Sequence, residues 1–248
     1  MIVQRLTDYI WVGIDSALSR SHVNRVASIF FALRTSLERL KSHYMNLKLD
    51  STHTRYFPSI TTYRGEDGLE VKFEYLGYLE GGSDCVTLRA KTKNTAREIV
   101  VKFVERYSER AHRLLAEEGL APRLLHFGPL ELYGSLSMVV MEYIRGETFT
   151  LAKSKMNNDT VKTVKSEIKC ALTVLHENGL VFGDLRPPNV MIIEEKTVRV
   201  KLIDFDWAGE VGQVEYPHLL SSLVTWPKGA QPLGPILKEH DLEMLEKL

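Results

Sequence analysis

Nine consecutive residues in the second half of the chain concentrate groups able to do chemistry: Phe182-Gly183-Asp184-Leu185-Arg186-Pro187-Pro188-Asn189-Val190. An aspartate and an asparagine stand five positions apart, with an arginine between them and two prolines tightening the loop. Fourteen residues beyond Asn189, a β-branched run ends in Ile203-Asp204-Phe205-Asp206. Transfer of a phosphoryl group asks for such a set. One carboxylate orients the attacking hydroxyl, while an amide oxygen and a second carboxylate hold magnesium on the phosphates. A cation near the transferred group offsets the charge that develops there. Asp184, Asn189, Asp204 and Arg186 can fill those roles in turn. A single aspartate in a loop is more often a cap or turn residue, so the case depends on the elements that bring the set together.

Those elements are legible from periodicity. Just before the loop, Val161, Val164, Ile168, Leu172 and Leu175 form a helical stripe, capped by Asn158 or Asp159 and ended by Gly179. Just after it, the β-branched runs 190–193 and 198–203 read as a hairpin. Earlier in the chain the period is that of strands, at 69–76, 85–90, 98–104, 123–127 and 136–141. One helix near 108–118 interrupts them, with Ser108 as its N-cap and Gly119 as its stop. Upstream again, Val23, Val26, Phe30, Leu33, Leu37, Leu40, Tyr44 and Leu47 recur in steps of three and four. They make one stripe of a long helix over about Ser21 to Leu47. Packing on its own domain is the simpler use of that stripe, and a partner helix is the other. Residues 50–68 are polar and read as a linker. No internal repeat is visible.

Bulk composition narrows the classes. The chain has 248 residues, 44% of them hydrophobic, enough for one core or two small lobes. Lys plus Arg and Asp plus Glu both number 32, and the signs are interspersed, so no nucleic-acid or membrane partner is expected. Cys85 and Cys170 have no metal-type spacing, and we expect two ordinary buried thiols in a reducing compartment. The first 13 residues lack a basic start followed by an apolar run, and no apolar run reaches the roughly 20 residues of a membrane span. The expectation is an intracellular protein, in cytoplasm or nucleus.

The loop 182–190 resembles the catalytic loop of the protein-kinase-like superfamily, in the "HGD" form of atypical, choline-kinase-like and aminoglycoside-phosphotransferase-like enzymes. Asp204-Phe205-Asp206 sits where the family has its metal-binding D-F-G. The wording from Ile203 to Gly209 is most similar to fungal kinase-like proteins. Further motifs follow in family order. Glu98 to Phe103 looks like the strand whose lysine, here Lys102, contacts the phosphates. Leu79 to Val86 resembles a shortened Gly-rich loop, which would place Gly81, Gly82, Ser83 and Val86 over the nucleotide, although an ordinary hairpin turn reads equally from those residues alone. Glu109 is chosen as the helix carboxylate that pairs with Lys102, with Glu117 and Glu118 as competitors. Met138 to Ile144 resembles the hinge strand, with Met141 as gatekeeper and the backbone of Glu142 and Ile144 on adenine.

Three departures stand out. Phe182 replaces the usual histidine, which ties the loop to the metal-binding turn. Gly183 replaces the arginine that receives an activation-loop phosphate, so no activation by that route is expected. Asp206 replaces the glycine of D-F-G, a residue that tolerates φ > 0 more cheaply. Only 39 residues follow Gly209, and the late helices of a peptide-substrate platform are not legible there. Asp241 is either the helix aspartate that braces the catalytic loop in the family or a helix N-cap.

The resemblance implies an α+β bilobal fold: a helical extension and linker over 1–60, a β-rich lobe over 61–146 and a short helical lobe over 147–248. It implies Mg-ATP as cofactor and transfer of the γ-phosphate to a hydroxyl, with a protein Ser/Thr kinase as the first reading. A small-molecule kinase is the second. The third is a pseudokinase acting as a binding module, with the helix 21–47 as its partner surface.

Overall fold

The architecture follows from a computed structural model, which describes residues 20–46, 58–79, 87–194 and 198–248. The chain divides into two units, Met1–Thr54 and Arg55–Leu248. The described residues of the first form α1 (Arg20–Asn46), over the span its stripe predicts; Leu47 lies outside the described residues.

The second unit opens with six antiparallel strands in the order β1-β2-β3-β4-β6-β5. They are β1 (Thr62–Arg64), β2 (Glu70–Tyr78), β3 (Thr87–Thr92), β4 (Glu98–Val104), β5 (Leu124–Pro129) and β6 (Ser137–Glu142). β4 lies inside the sheet between β3 and β6, and every residue after Glu98 in it is buried. Strand side chains alternate between faces. Ile99, Val101 and Phe103 therefore enter one apolar cluster with Phe73, Leu88 and Val140. Val100 and Val104 enter another with Leu124, Val139 and Met141. Each such buried side chain contributes roughly 1.5–3 kcal/mol before ordering costs. Lys102 belongs to the second face by the same alternation, so packing on both sides of β4 fixes where its stem emerges.

Between β4 and β5 runs α2 (Glu109–Glu117). Ser108 is its N-cap, as expected, with its hydroxyl accepting from the Ala111 N–H at 3.3 Å, and Gly119 follows it at φ 73°.

After β7 (Glu147–Thr148) and the single turn α3 (Phe149–Ala152) comes α4 (Asn158–Glu177). Its N-cap is Asn157, one residue earlier than predicted, because the Asn157 side chain accepts from the Thr160 N–H at 2.8 Å. The predicted stripe is buried at Val164, Ile168, Leu172 and Leu175. Cys170 is exposed on the same helix, which corrects the expectation of a buried thiol; Cys85 lies outside the described residues. β8 (Leu180–Val181), β9 (Val190–Glu194), β10 (Val198–Leu202) and β11 (Gly209–Glu210) then frame the loops that carry the chemistry. β10 pairs with β9 and β9 with β7, while β11 pairs with β8. The last element is α5 (Lys238–Lys247). No helix among the described residues is long and apolar enough to cross a membrane.

Candidate active site

The loop from Phe182 to Asn189 leaves β8 and returns through a 3₁₀ turn, Pro187–Asn189. Prolines there fix φ near the helical value and forgo N–H groups that a first turn cannot use. Asp184 is buried at the centre. Arg186 grips its carboxylate with two bonds, Nε to Oδ1 at 2.5 Å and Nη2 to Oδ2 at 2.6 Å. Such fork-to-carboxylate bonds fix orientation as well as charge. Asn189 Nδ2 donates to the Asp184 backbone carbonyl at 2.9 Å and to Oδ2 at 2.8 Å. Both amide hydrogens are thereby used, and the amide oxygen is the end left for a cation. The Arg186 guanidinium also stands 5.7 Å over the Trp226 ring. Trp226 stacks on Trp207 and meets the buried Tyr216 edge-on. The segment around Tyr216 and Trp226 therefore packs on the second lobe.

The loop is braced from below by Asp241, which is 1% exposed. Asp241 Oδ2 accepts from the Phe182 N–H and Oδ1 from the Gly183 N–H, both at 2.8 Å, and His176 Nε2 lies 3.0 Å from Oδ2. Of the two readings of Asp241, the brace is the one seen, and Leu237 holds the N-cap position of α5. Gly183 has φ 82°, and a Cβ there would stand 2.9 Å from the Trp207 carbonyl oxygen and 3.0 Å from Ile236 Cδ1. The glycine is thus required by its own backbone and by its neighbours. Phe182 is fully buried and meets Phe205 edge-on at 5.5 Å, keeping the packing of the residue it replaces.

Asp204, Phe205 and Asp206 follow β10. The left-handed residue is Asp204, at φ 70°, while Asp206 does not stand among the positive-φ residues. The strain foreseen at Asp206 is therefore at Asp204, a residue type that tolerates this region through local hydrogen bonds. Lys102 Nζ reaches both carboxylates, Asp204 Oδ1 at 2.7 Å and Asp206 Oδ1 at 2.7 Å. Burial pushes the lysine pKa down, but the two carboxylates outweigh it and hold it above the ordinary value. Burial and the Asp204 charge push Asp206 up to about 7. For Asp204 burial also acts upward, but the Lys102 charge outweighs it, leaving a value below the usual carboxylate range. Asn189, Asp204 and Asp206 are hard oxygen donors of the kind magnesium takes, so the residues present fit that ion.

The expected partner of Lys102 on α2 is not there. Glu109 accepts from Arg113 Nε at 2.9 Å, and 41% of its side chain is exposed. Glu117 and Glu118 are exposed as well. The inner face is Ala111, His112 and Leu115. His112 is fully buried, and its ring lies flat on Phe205, 4.6 Å apart at 8°. Nε2 lies 2.7 Å from the Pro122 carbonyl oxygen and Nδ1 2.6 Å from the Tyr107 hydroxyl. A carbonyl only accepts, so Nε2 carries the hydrogen and Nδ1 accepts from the tyrosine. Burial lowers the His112 pKa to about 4 and keeps the ring neutral. Spacing alone puts position 112 beside Ala111 and Leu115 on one face, a signal that sequence reading passed over. Two backbone ties complete the contact: the Ser108 N–H donates to the Phe205 carbonyl at 3.1 Å, and Arg106 Nε to the Asp206 carbonyl at 2.9 Å.

At the hinge strand, Met141 is buried. The Glu142 N–H is taken by the Arg123 carbonyl at 3.0 Å, so only its carbonyl can serve adenine. Ile144 lies just past β6. Gly81, Gly82, Ser83 and Val86 lie outside the described residues.

A β-rich lobe carrying a buried lysine, joined to a helical lobe carrying this braced loop, defines the protein-kinase-like class of fold. The chain belongs to the protein kinase domain family, whose model matches residues 73–225. Among curated relatives, the serine/threonine-protein kinase PAK mbt of Drosophila melanogaster is 30% identical over 168 residues, which is 64% of this chain and 25% of that protein. The serine/threonine-protein kinase PAK 4 of Homo sapiens is 27% identical over 159 residues, 61% of this chain and 26% of that one. The chain thus spans about a quarter of the length of these relatives. Among solved structures, the PK-1 kinase of the Cydia pomonella granulovirus superposes with a TM-score of 0.57 at 20% identity, covering 70% of this chain and 65% of that one. That likeness concerns the fold.

Proposed function

We propose that this chain transfers the γ-phosphate of Mg-ATP to a serine or threonine hydroxyl of a protein. The observation that carries the reading is Asp184, buried and oriented by Arg186 and Asn189, together with the pairing of Lys102 on β4 with Asp204 after β10. In this reading Asp184 receives and orients the acceptor hydroxyl. Arg186, already held next to that carboxylate, faces the charge that develops on the transferred group. Lys102 grips the phosphates, and the backbone of Glu142 and Ile144 meets adenine. Magnesium, held by Asn189 and Asp204, supplies neutralisation of the phosphate charge. The protein acceptor is supported by relatives that are serine/threonine-protein kinases, and we read the chain as intracellular, in cytoplasm or nucleus, where ATP is abundant.

A second acceptor class is favoured by one observation. Gly183 cannot be the phosphate-receiving arginine of loop-activated protein kinases, and its contacts admit no side chain. That wording resembles the atypical "HGD" type, in which small-molecule kinases are common. The likeness to fungal proteins rests on Ile203 to Gly209 alone, and a partner surface on α1 belongs to the binding-module reading. Asp184→Ala should abolish turnover, measured as phosphate transfer from labelled Mg-ATP to a panel of proteins, choline and aminoglycosides, while ATP binding persists. Full transfer by that variant would sink the assignment, and the acceptor that is labelled decides between the two classes.

A further inference from the structure

We propose that Asp206 is the positioning residue that anchors Lys102, in the place of a carboxylate on α2. The inference rests on reading Lys102 as the phosphate-gripping lysine and deepens that reading. Two independent observations carry it. The first is contact: Lys102 Nζ stands 2.7 Å from Asp206 Oδ1 as well as 2.7 Å from Asp204 Oδ1. The second is exclusion. Of the acids on α2, Glu109 is half-buried and Glu117 exposed, as is Glu118 at the C-cap, while the buried face offers Ala111, His112 and Leu115. Glu109 is engaged by Arg113, which also lies 3.6 Å from Glu66. The neutral His112 ring stacks on Phe205 and carries no charge to offer the lysine.

The consequence concerns how the nucleotide grip is assembled. A carboxylate on a helix can swing away from its lysine, and the grip then depends on where the helix sits. Asp206 is two residues from Asp204 on one short segment, so both anchors of Lys102 move together. That segment meets α2 through the Phe205 ring, stacked on His112, and through the Phe205 and Asp206 carbonyls, which accept from the Ser108 N–H and Arg106 Nε just before the helix. Asp206 also accounts for the departure from D-F-G: its carboxylate is used on a lysine that the helix leaves without a partner.

The test reads Lys102 directly. Nucleotide-free, metal-free protein is acylated with trace acetic anhydride at alkaline pH, and Lys102 labelling is quantified by mass spectrometry against surface lysines. Asp206→Asn frees Lys102 Nζ from one of the two carboxylates that hold it, and its labelling relative to surface lysines should rise severalfold. Glu109→Gln should leave labelling within about twofold of wild type, a change well under one pKa unit. Mg-ATP titrations followed by thermal stability should show half-saturation weakened on the order of tenfold in Asp206→Asn. A rise in labelling with Glu109→Gln equal to that with Asp206→Asn would overturn the proposal, as would unchanged labelling in Asp206→Asn, the result of a purely metal-binding role. Should Asp206→Asn fold poorly, Asp206→Gly and the Glu109→Gln arm still decide it. Absence of any ATP effect in wild type would defeat the proposed function, while the labelling arm judges the anchor on its own.

Discussion

Lys102 and Asp184 reach the site by opposite physical routes. Lys102 rides on β4, where Ile99, Val101 and Phe103 on one face and Val100 and Val104 on the other are held by apolar burial. Asp184 rides on a loop with little regular hydrogen bonding, held by Arg186, Asn189 and, through the backbone, by Asp241. A strand positions a side chain by summing many small, non-directional contacts. A loop positions one by a few directional bonds, each of which is costly to leave unmade once buried. The loop should therefore fail sharply when one polar atom is removed, and the strand gradually.

The sharpest break is expected at Asp241. Asp241→Ala strips acceptors from the Phe182 and Gly183 N–H groups and from His176, all around a buried site. Leaving each buried N–H without its acceptor costs about 1–3 kcal/mol, measurable as a drop in urea midpoint, and turnover should fall with it.

Next in size is the contact between α2 and Phe205. Folding holds His112 at a pKa of about 4, below its unfolded value near 6.5. Between those values the unfolded chain binds more protons, so stability is fully present above about pH 6.5 and is lost as pH falls toward 4. The loss amounts to about 3 kcal/mol. His112→Gln should flatten that part of the stability-versus-pH curve, and an unchanged slope would show that another group is responsible.

Smaller again is Gly183→Ala. Its left-handed backbone and the 2.9 Å approach to the Trp207 carbonyl should cost about 1–2 kcal/mol for the conformation alone. Comparison with Gly179→Ala, at a similar left-handed φ of 73° but with open surroundings, separates backbone strain from crowding.

The same contrast explains what could be read from sequence. β4 was legible at both ends because its apolar alternation is a property of neighbouring residues, and Glu98–Val104 is the span observed. α4 and the hairpin of β9 and β10 were legible for the same reason. Asp184, Asn189 and Asp204 were visible as a set because their spacing along the chain is short. The partner of Lys102 was not. Glu109 looked suitable in order along the chain, but the helix turns 100° per residue, and Glu109 faces Arg113 while His112 faces in. Asp241 lies 58 residues from the Gly183 N–H it serves, and Trp226 lies 40 residues beyond Arg186. Polar contacts of that range leave no periodic trace.

The central claim is that Lys102, Asn189 and Asp204 form a magnesium-dependent nucleotide site. The direct measurement is thermal stability of the purified protein with and without Mg-ATP, wild type beside Asp204→Ala. A ligand that binds only the folded state raises stability by about 2.7 kcal/mol at a hundred times its dissociation constant. The account predicts a clear upward shift in the wild type that Asp204→Ala loses. No shift of the wild type at millimolar Mg-ATP, or an equal shift in Asp204→Ala, would contradict it.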